Sequence, residues 1–341
     1  MTLNAQLSKR SDGSINPGIG WTHAAFGLGS GYTANPFKGC HHGCEWRMPN
    51  GDMAICYAKT IAESLHTKNP ALYPDGFEVS EFDPDVLKAI LKRKQSSGIF
   101  VDSMSDFLAK EHTDDQVQQC LSAFSDAYWH RFMILTKNIG RLTKFSYPQN
   151  CWVGASVPPT MMYGKELSPE QQAAYMRKAL TSLSEINAPV RWLSAEPLSF
   201  DISPYLWEMY LNTPSDRWIN WAVIGAASSV SPTGKRLLFQ PNPVWVHSAL
   251  EVLDAMGCPV FFKENLDWIL DRSESPLEAY NYEVFDPSKQ IYTGKLALGG
   301  NHISVSRKLN IFGEPIVSLY ENSILMRATN EEKEITETTV Q

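Results

Sequence analysis

The feature that most restricts the fold is a repeated exchange between two hydrophobic rhythms. Short, nearly continuous apolar runs alternate with longer stretches whose apolar residues return about every 3.6 positions. The short runs are "GIFVDSM" (98–104), "RFMILTK" (131–137), "CWVGASV" (151–157), "VRWLSAEP" (190–197), "WAVIGAAS" (221–228) and "PVFFKEN" (259–265). The segment around "WTHAAFG" (21–27) is the candidate first strand. The longer stretches include "TDDQVQQCLSAFSDAYW", "SPEQQAAYMRKALTSLSEI" and "NPVWVHSALEVLDAM". Two of them open with Thr-Asp-Asp or Ser-Pro-Glu, which are helix-start signals. Strands that are apolar throughout need cover on both faces, and parallel strands joined by crossover helices provide it. The expected fold class is therefore α/β, a partial or full (β/α) barrel with parallel strands.

The rhythm fails after about residue 270, where "YEVFDPSKQIYTGKLALGGNHISVS" places turn signals between short strand-like runs. The expected organisation is a flexible lead over 1–18, a barrel over 19–270, a C-terminal β-rich extension over 271–326, and a disordered acidic tail over 327–341.

Polar residues gather where the strands end. Asp102, Ser103, Ser105 and Asp106 follow the second strand, Thr136 and Lys137 the third, and Ser156 the fourth. Ser194 and Glu196 follow the fifth, and Lys263 and Glu264 the last. In a parallel barrel these ends share one face, and that face carries the active site.

Charge and length exclude some functions. No run of about 18 apolar residues exists, so no membrane span is expected. The opening "MTLNAQLSKRSDGSINPG" lacks the apolar centre of a signal peptide, so a cytoplasmic location with reduced thiols is expected. A net charge of −7 argues against non-specific polyanion binding. Two basic neighbourhoods, "LKAILKRK" (87–94) and "RFMILTKNIGRLTK" (131–144), offer phosphate contacts or simply solvated helix faces.

Three of the six cysteines, Cys40, Cys44 and Cys56, fall within "NPFKGCHHGCEWRMPNGDMAICYAK" (35–59), just before a helix-like run. Cys120 sits in a helical pattern, while Cys151 and Cys258 flank strands, so these three read as core packing. For the trio, spacing alone leaves three readings open. They are unligated loop thiols, a zinc site completed by His41 or His42, and an iron–sulfur cluster held by three thiolates.

The surrounding residues carry a resemblance. "NPFKGCHHGC…CYAK" resembles the Asn-Pro-x-x-Gly-Cys-x-His-Gly-Cys-x-x-Cys-Tyr-Ala motif of radical SAM enzymes in the spore photoproduct lyase group. "IFVDSMSDFLAKEHTDD", "FMILTKN", "CWVGASV", "VRWLSAEPL", "WAVIGAASS" and "CPVFFKENLDW" resemble, in order, the blocks of a phage-encoded radical-SAM-like family. The resemblance spans about Trp21 to Trp268 and implies a partial barrel, a 4Fe–4S cluster and S-adenosylmethionine (SAM). By the same resemblance, Cys40, Cys44 and Cys56 ligate the cluster. Ser103, Lys137 and Ser156 contact SAM, and Tyr57 faces the cluster or packs the helix start. Glu196 is a strand-end carboxylate suited to the ribose hydroxyls or the SAM ammonium, or else a structural cap of the loop before Pro197. Two departures stand out. The insertion "EWRMPNGDMAI" separates Cys44 from Cys56, and Gly225-Ala226-Ala227-Ser228 replaces a Gly-Gly-Glu-Ser block.

The resemblance further implies reductive SAM cleavage directed at a nucleobase or modified thymine side chain in DNA. A flavodoxin or ferredoxin would donate the electron, and a phage-encoded chain would act in the host cytoplasm. Two alternatives are a free nucleotide or other small molecule as substrate, and a non-catalytic zinc- or cluster-binding protein that grips a nucleic acid or partner. Within the insertion, Trp46, Arg47 and Asp52 are the candidate substrate contacts.

Overall fold

The computed structural model describes residues 3–11, 13, 15–16, 18–26, 29–47, 53–230, 236–263, 265–266, 282–286, 291–298 and 301–305. Eight strands form the frame: β1 Gly31–Ala34, β2 Gly98–Val101, β3 Arg131–Thr136, β4 Cys151–Ser156, β5 Val190–Ala195, β6 Trp221–Ile224, β7 Val260–Phe262 and β8 Tyr282–Asp286. They are hydrogen-bonded in that order within one sheet, and every neighbouring pair is parallel. The sheet curls into a partial barrel, the α/β architecture expected from the two rhythms. Residues Asn4–Ala5 cap one edge antiparallel to β1. Ile291–Leu298 and Asn301–Val305 extend the other edge beyond β8. The β-rich C-terminal segment thus continues the barrel sheet, and the expected acidic tail lies outside the described residues.

Helices α1 Tyr57–Lys68, α2 Asp85–Lys92, α3 Asp114–Asp126, α4 Pro169–Glu185, α5 Ser203–Asn212 and α6 Pro243–Ala255 follow the strands. The two helix-start signals are real caps. The hydroxyls of Thr113 and Ser168 accept the backbone N–H of Gln116 and Gln171, whose side chains return to the cap N–H groups.

Side-chain alternation along the strands creates two cores. Leu193 and Ala195 of β5 and Val153 and Ala155 of β4 point outward into the layer shared with the helices. Trp152, Trp192, Trp221, Phe100, Met133, Val223 and Phe261 point inward and fill the barrel, joined by Trp21. Gly154 makes this inner packing possible, because a Cβ there would lie 2.5 Å from the indole of Trp192. One step further along the inward row come Ser156 and Ser194, which are register partners. Aromatic side chains therefore plug the floor of the barrel, and the next inward positions, at the strand C-termini, are polar.

One expectation is corrected. The run at 21–27 is not the first strand: Gly20–Ala25 is a fully buried 3-10 helix, and "GYTA" (31–34) supplies β1. A short apolar run does not distinguish a strand from a buried helical turn. Glycine permits the docking, since a Cβ on Gly31 would meet Thr22 Oγ1 at 2.1 Å.

Candidate cofactor site at the barrel mouth

The loop after β1 is held against the loop after β2. Asn35 Oδ1 accepts from Ser103 Oγ and from the Met104 N–H, both at 3.0 Å. Asp102 Oδ1 accepts the Phe37 N–H at 2.9 Å, and burial pushes the Asp102 carboxyl well above the usual range. The Gly39 N–H donates to Met104 O and the Cys40 N–H to Phe77 O. These bonds fix where Cys40 stands before any side chain of the site is considered.

The insertion then folds on itself. Glu45–Arg47 pairs antiparallel with Met53–Ile55, and the Cys56 N–H donates to Cys44 O at 3.1 Å. The hairpin is therefore closed at its base, which brings the second and third cysteines together despite the eleven residues between them. Cys56 immediately precedes α1 as its cap residue. A second hairpin, Met161–Met162 with Lys165–Glu166, adds to the first through Met161 and Glu45. Arg47 clamps the two through Glu166 at 3.1 Å. The inner face of the first hairpin carries Trp46 and Ala54, which pack with Cys44, Cys56 and Ala227.

One cavity of about 230 Å³ lies over the aromatic floor, at the C-terminal ends of the strands. Cys40, Cys44, Cys56, Tyr57, Ser103, Lys137, Ser156 and Glu196 all line it, and so do the strand-end residues Asp102, Ser105, Asp106, Ser194 and Lys263. Thr136 stands behind it, its hydroxyl donating to Asp106 Oδ1 at 2.6 Å. Glu264 and Asp52 lie outside the described residues. Arg47 is spent on Glu166, whereas Trp46 does face the cavity. The Tyr57 hydroxyl donates to Ser103 O at 2.6 Å, so this ring ties the helix start to the second strand end. Cys120, Cys151 and Cys258 are buried in the outer core, as expected for packing.

Two residues escaped the sequence reading. Asn35 belongs to the Asn-Pro pair but has no strand-end position to mark it. Trp21, hidden in the misassigned run, donates its indole N–H to Glu196 Oε1 at 3.2 Å, and Lys263 Nζ approaches the same oxygen at 3.4 Å.

The electrostatics of the cavity are set by its thiols. Burial pushes the Cys44 thiol up to about 12 against the opposing pull of Lys137. Cys40 is pushed up by burial and by Asp106. Burial alone would lower the Lys137 ammonium, but Cys44, Cys56, Asp106 and Cys40 outweigh it and hold its pKa up. Buried thiols of this kind become thiolates when a metal centre supplies positive charge, because the ion inverts the local balance. Among the described residues no group of three or more His, Cys, Asp or Glu side chains is gathered as a metal-ion site. A zinc ion would draw four donors to about 2.0–2.3 Å from one point. A multi-iron cluster asks less, since each thiolate meets a different iron and the thiols need only face one chamber.

The family described as "Protein of unknown function (DUF5131)" matches residues 16–299, a span that runs from the first described segments through β8 and holds every cavity residue. The chain belongs to this family. No curated protein matches this DUF5131 member. Among solved structures, spore photoproduct lyase complexed with dinucleoside spore photoproduct is similar at 10% identity and a TM-score of 0.42, over 68% of this chain and 77% of that chain. A doubly substituted form of the lyase with bound AdoMet and dinucleoside spore photoproduct is similar at 10% identity and a TM-score of 0.41, over 68% and 76%.

Proposed function

We propose that this DUF5131 member is a radical SAM enzyme, with a 4Fe–4S cluster on Cys40, Cys44 and Cys56 and SAM beside it in the same cavity. The observation that carries this reading is convergence. The three loop cysteines and the strand-end residues read as SAM contacts all line the same cavity at the barrel mouth. When bound, the reduced cluster supplies the electron that splits SAM into methionine and a 5′-deoxyadenosyl radical able to take hydrogen from unactivated carbon.

The residues of the chain supply binding, orientation and exclusion of water. Among the described residues Lys137 Nζ has no hydrogen-bond or ion-pair partner and stands among the thiols, so it takes the methionyl carboxylate as its counter-charge. Ser103 and Ser156 present hydroxyls to carboxylate or ribose oxygens. Glu196 is held by Trp21 and Lys263 and accepts from ribose hydroxyls or the SAM ammonium. The aromatic floor closes the barrel below the chamber, which protects a reactive radical from water.

For the substrate, the motif resemblance directs attention to a nucleobase or thymine side chain, in DNA or in a free nucleotide. The charge layout favours the free nucleotide or another small molecule over a duplex. Arg141 and Lys144 are both paired with Asp114. Lys92, Arg93 and Lys94 precede β2, at the rim opposite the mouth.

Anaerobic reconstitution with iron and sulfide tests the proposal. The expected result is a brown protein that releases 5′-deoxyadenosine from SAM under reduction. A colourless protein that takes up zinc alone and leaves SAM intact overturns it. Incubation with deuterated thymidine, free and within DNA, then sorts the substrates by which one passes deuterium to 5′-deoxyadenosine.

A further inference from the structure

The paired histidines of the cysteine loop face opposite ways. His41 is exposed toward Glu111, at 3.4 Å. His42 is only 3% exposed and lines the chamber, with its Nδ1 3.0 Å from Cys40 Sγ. Its ring is held from several sides. The His42 carbonyl accepts the Tyr163 N–H at 2.6 Å, and the Tyr163 ring lies against the imidazole at 5.1 Å between centroids. Asp106 Oδ2 stands 3.8 Å from His42 Nδ1. That carboxylate is already fixed by the Thr136 hydroxyl and by the N–H groups of Lys137 and Leu108.

Donor and acceptor accounting decides where the ring proton sits. When Cys40 is a thiolate, its sulfur can only accept, and it faces Nδ1 at 3.0 Å, with Asp106 Oδ2 at 3.8 Å from the same nitrogen. Nε2 is buried with no partner among the described residues. A neutral imidazole has one N–H, and a buried N–H without an acceptor is the costlier arrangement. The proton therefore belongs on Nδ1, aimed at the nearer sulfur.

We infer that His42 is a positioning residue that donates its Nδ1–H to the Cys40 thiolate and so tunes the iron that this thiolate holds. The inference rests on the cluster reading above. A hydrogen bond to a ligand sulfur withdraws electron density and stabilises the reduced, more negative cluster, so it raises the reduction potential. Neither the cysteine motif nor the strand-end pattern assigns His42 this role.

The test compares wild type with His42→Asn, which retains a donor, and His42→Leu, which retains bulk without one. All three are reconstituted anaerobically, assayed for iron, and titrated redox-potentiometrically with EPR detection. The expected result is a roughly tenfold shift toward oxidised cluster in His42→Leu at a fixed potential, about 59 mV for a one-electron couple, with His42→Asn near wild type. Equal potentials in all three proteins overturn the inference and leave the cluster reading intact. A wild type that binds no iron overturns both. Nitrogen-15 NMR of the reconstituted wild type, with the cluster in its diamagnetic oxidised state and Cys40 a thiolate, reads the tautomer even if a variant fails to fold. A proton on Nδ1 supports the assignment, and a proton on Nε2 overturns it.

Discussion

At the scale of single residues, the cysteines divide into three that line the cavity, the proposed cluster ligands, and three that fill the outer core. Cys56→Ala is expected to abolish cluster retention, read as iron per chain after reconstitution, with little change in thermal stability. Cys151→Ala should do the reverse, keeping iron while losing about 1 kcal/mol for the cavity left by a fully buried side chain. Lys137→Met removes a charge while roughly keeping length. Hydrogen bonds to charged groups contribute about 1.5–3 kcal/mol, so calorimetry should show SAM affinity falling by about ten- to a hundred-fold. Part of this was legible in the sequence, because three cysteines cluster in one loop and polar residues gather at the strand ends. Asn35 and Trp21 were not legible. Their roles depend on hydrogen bonds to residues 68 and 175 positions away, and nothing local marks them.

At the scale of elements, β4 and β5 depend on the absence of a side chain between them. Gly154→Ala puts a methyl group against the Trp192 ring, and overpacking of this kind costs about 1–3 kcal/mol. A lower midpoint in urea unfolding is the expected outcome. The inserted hairpin has a different task, because Trp46 and Ala54 are the surfaces that cover Cys44 and Cys56. Trp46→Ala is expected to leave the fold intact and to speed removal of iron from the reconstituted protein by a chelator. An unchanged chelation rate would show that the indole does not screen the thiols. In the sequence this stretch was visible as an inserted loop between cysteines with candidate substrate contacts, but not as a hairpin. Its pairing with residues 161–166 is long-range, and short two- and three-residue strands leave almost no periodic trace.

At the scale of the whole molecule, the apolar rhythms pointed to a parallel barrel sheet and marked six of its eight parallel strands, but not the first or the last as barrel strands. "GYTA" is too short and too mixed to stand out, and the eighth strand falls where the alternation with helices has already ceased. The outer core also sets a pH response. His130 is fully buried, and burial pushes its pKa down to about 4 from the usual 6.5. The unfolded chain therefore binds a proton that the folded chain refuses between those values. Stability is expected to fall as pH drops through this window, by at most about 3 kcal/mol, and to lose nothing further from this group below it. Denaturant unfolding at several pH values, with His130→Gln showing the shallower decline, checks the sign. The closed base of the inserted hairpin has a consequence. Because the backbone bond between Cys56 and Cys44 fixes their separation, two of the three thiol-bearing residues are preorganised by the chain itself, before any cofactor arrives.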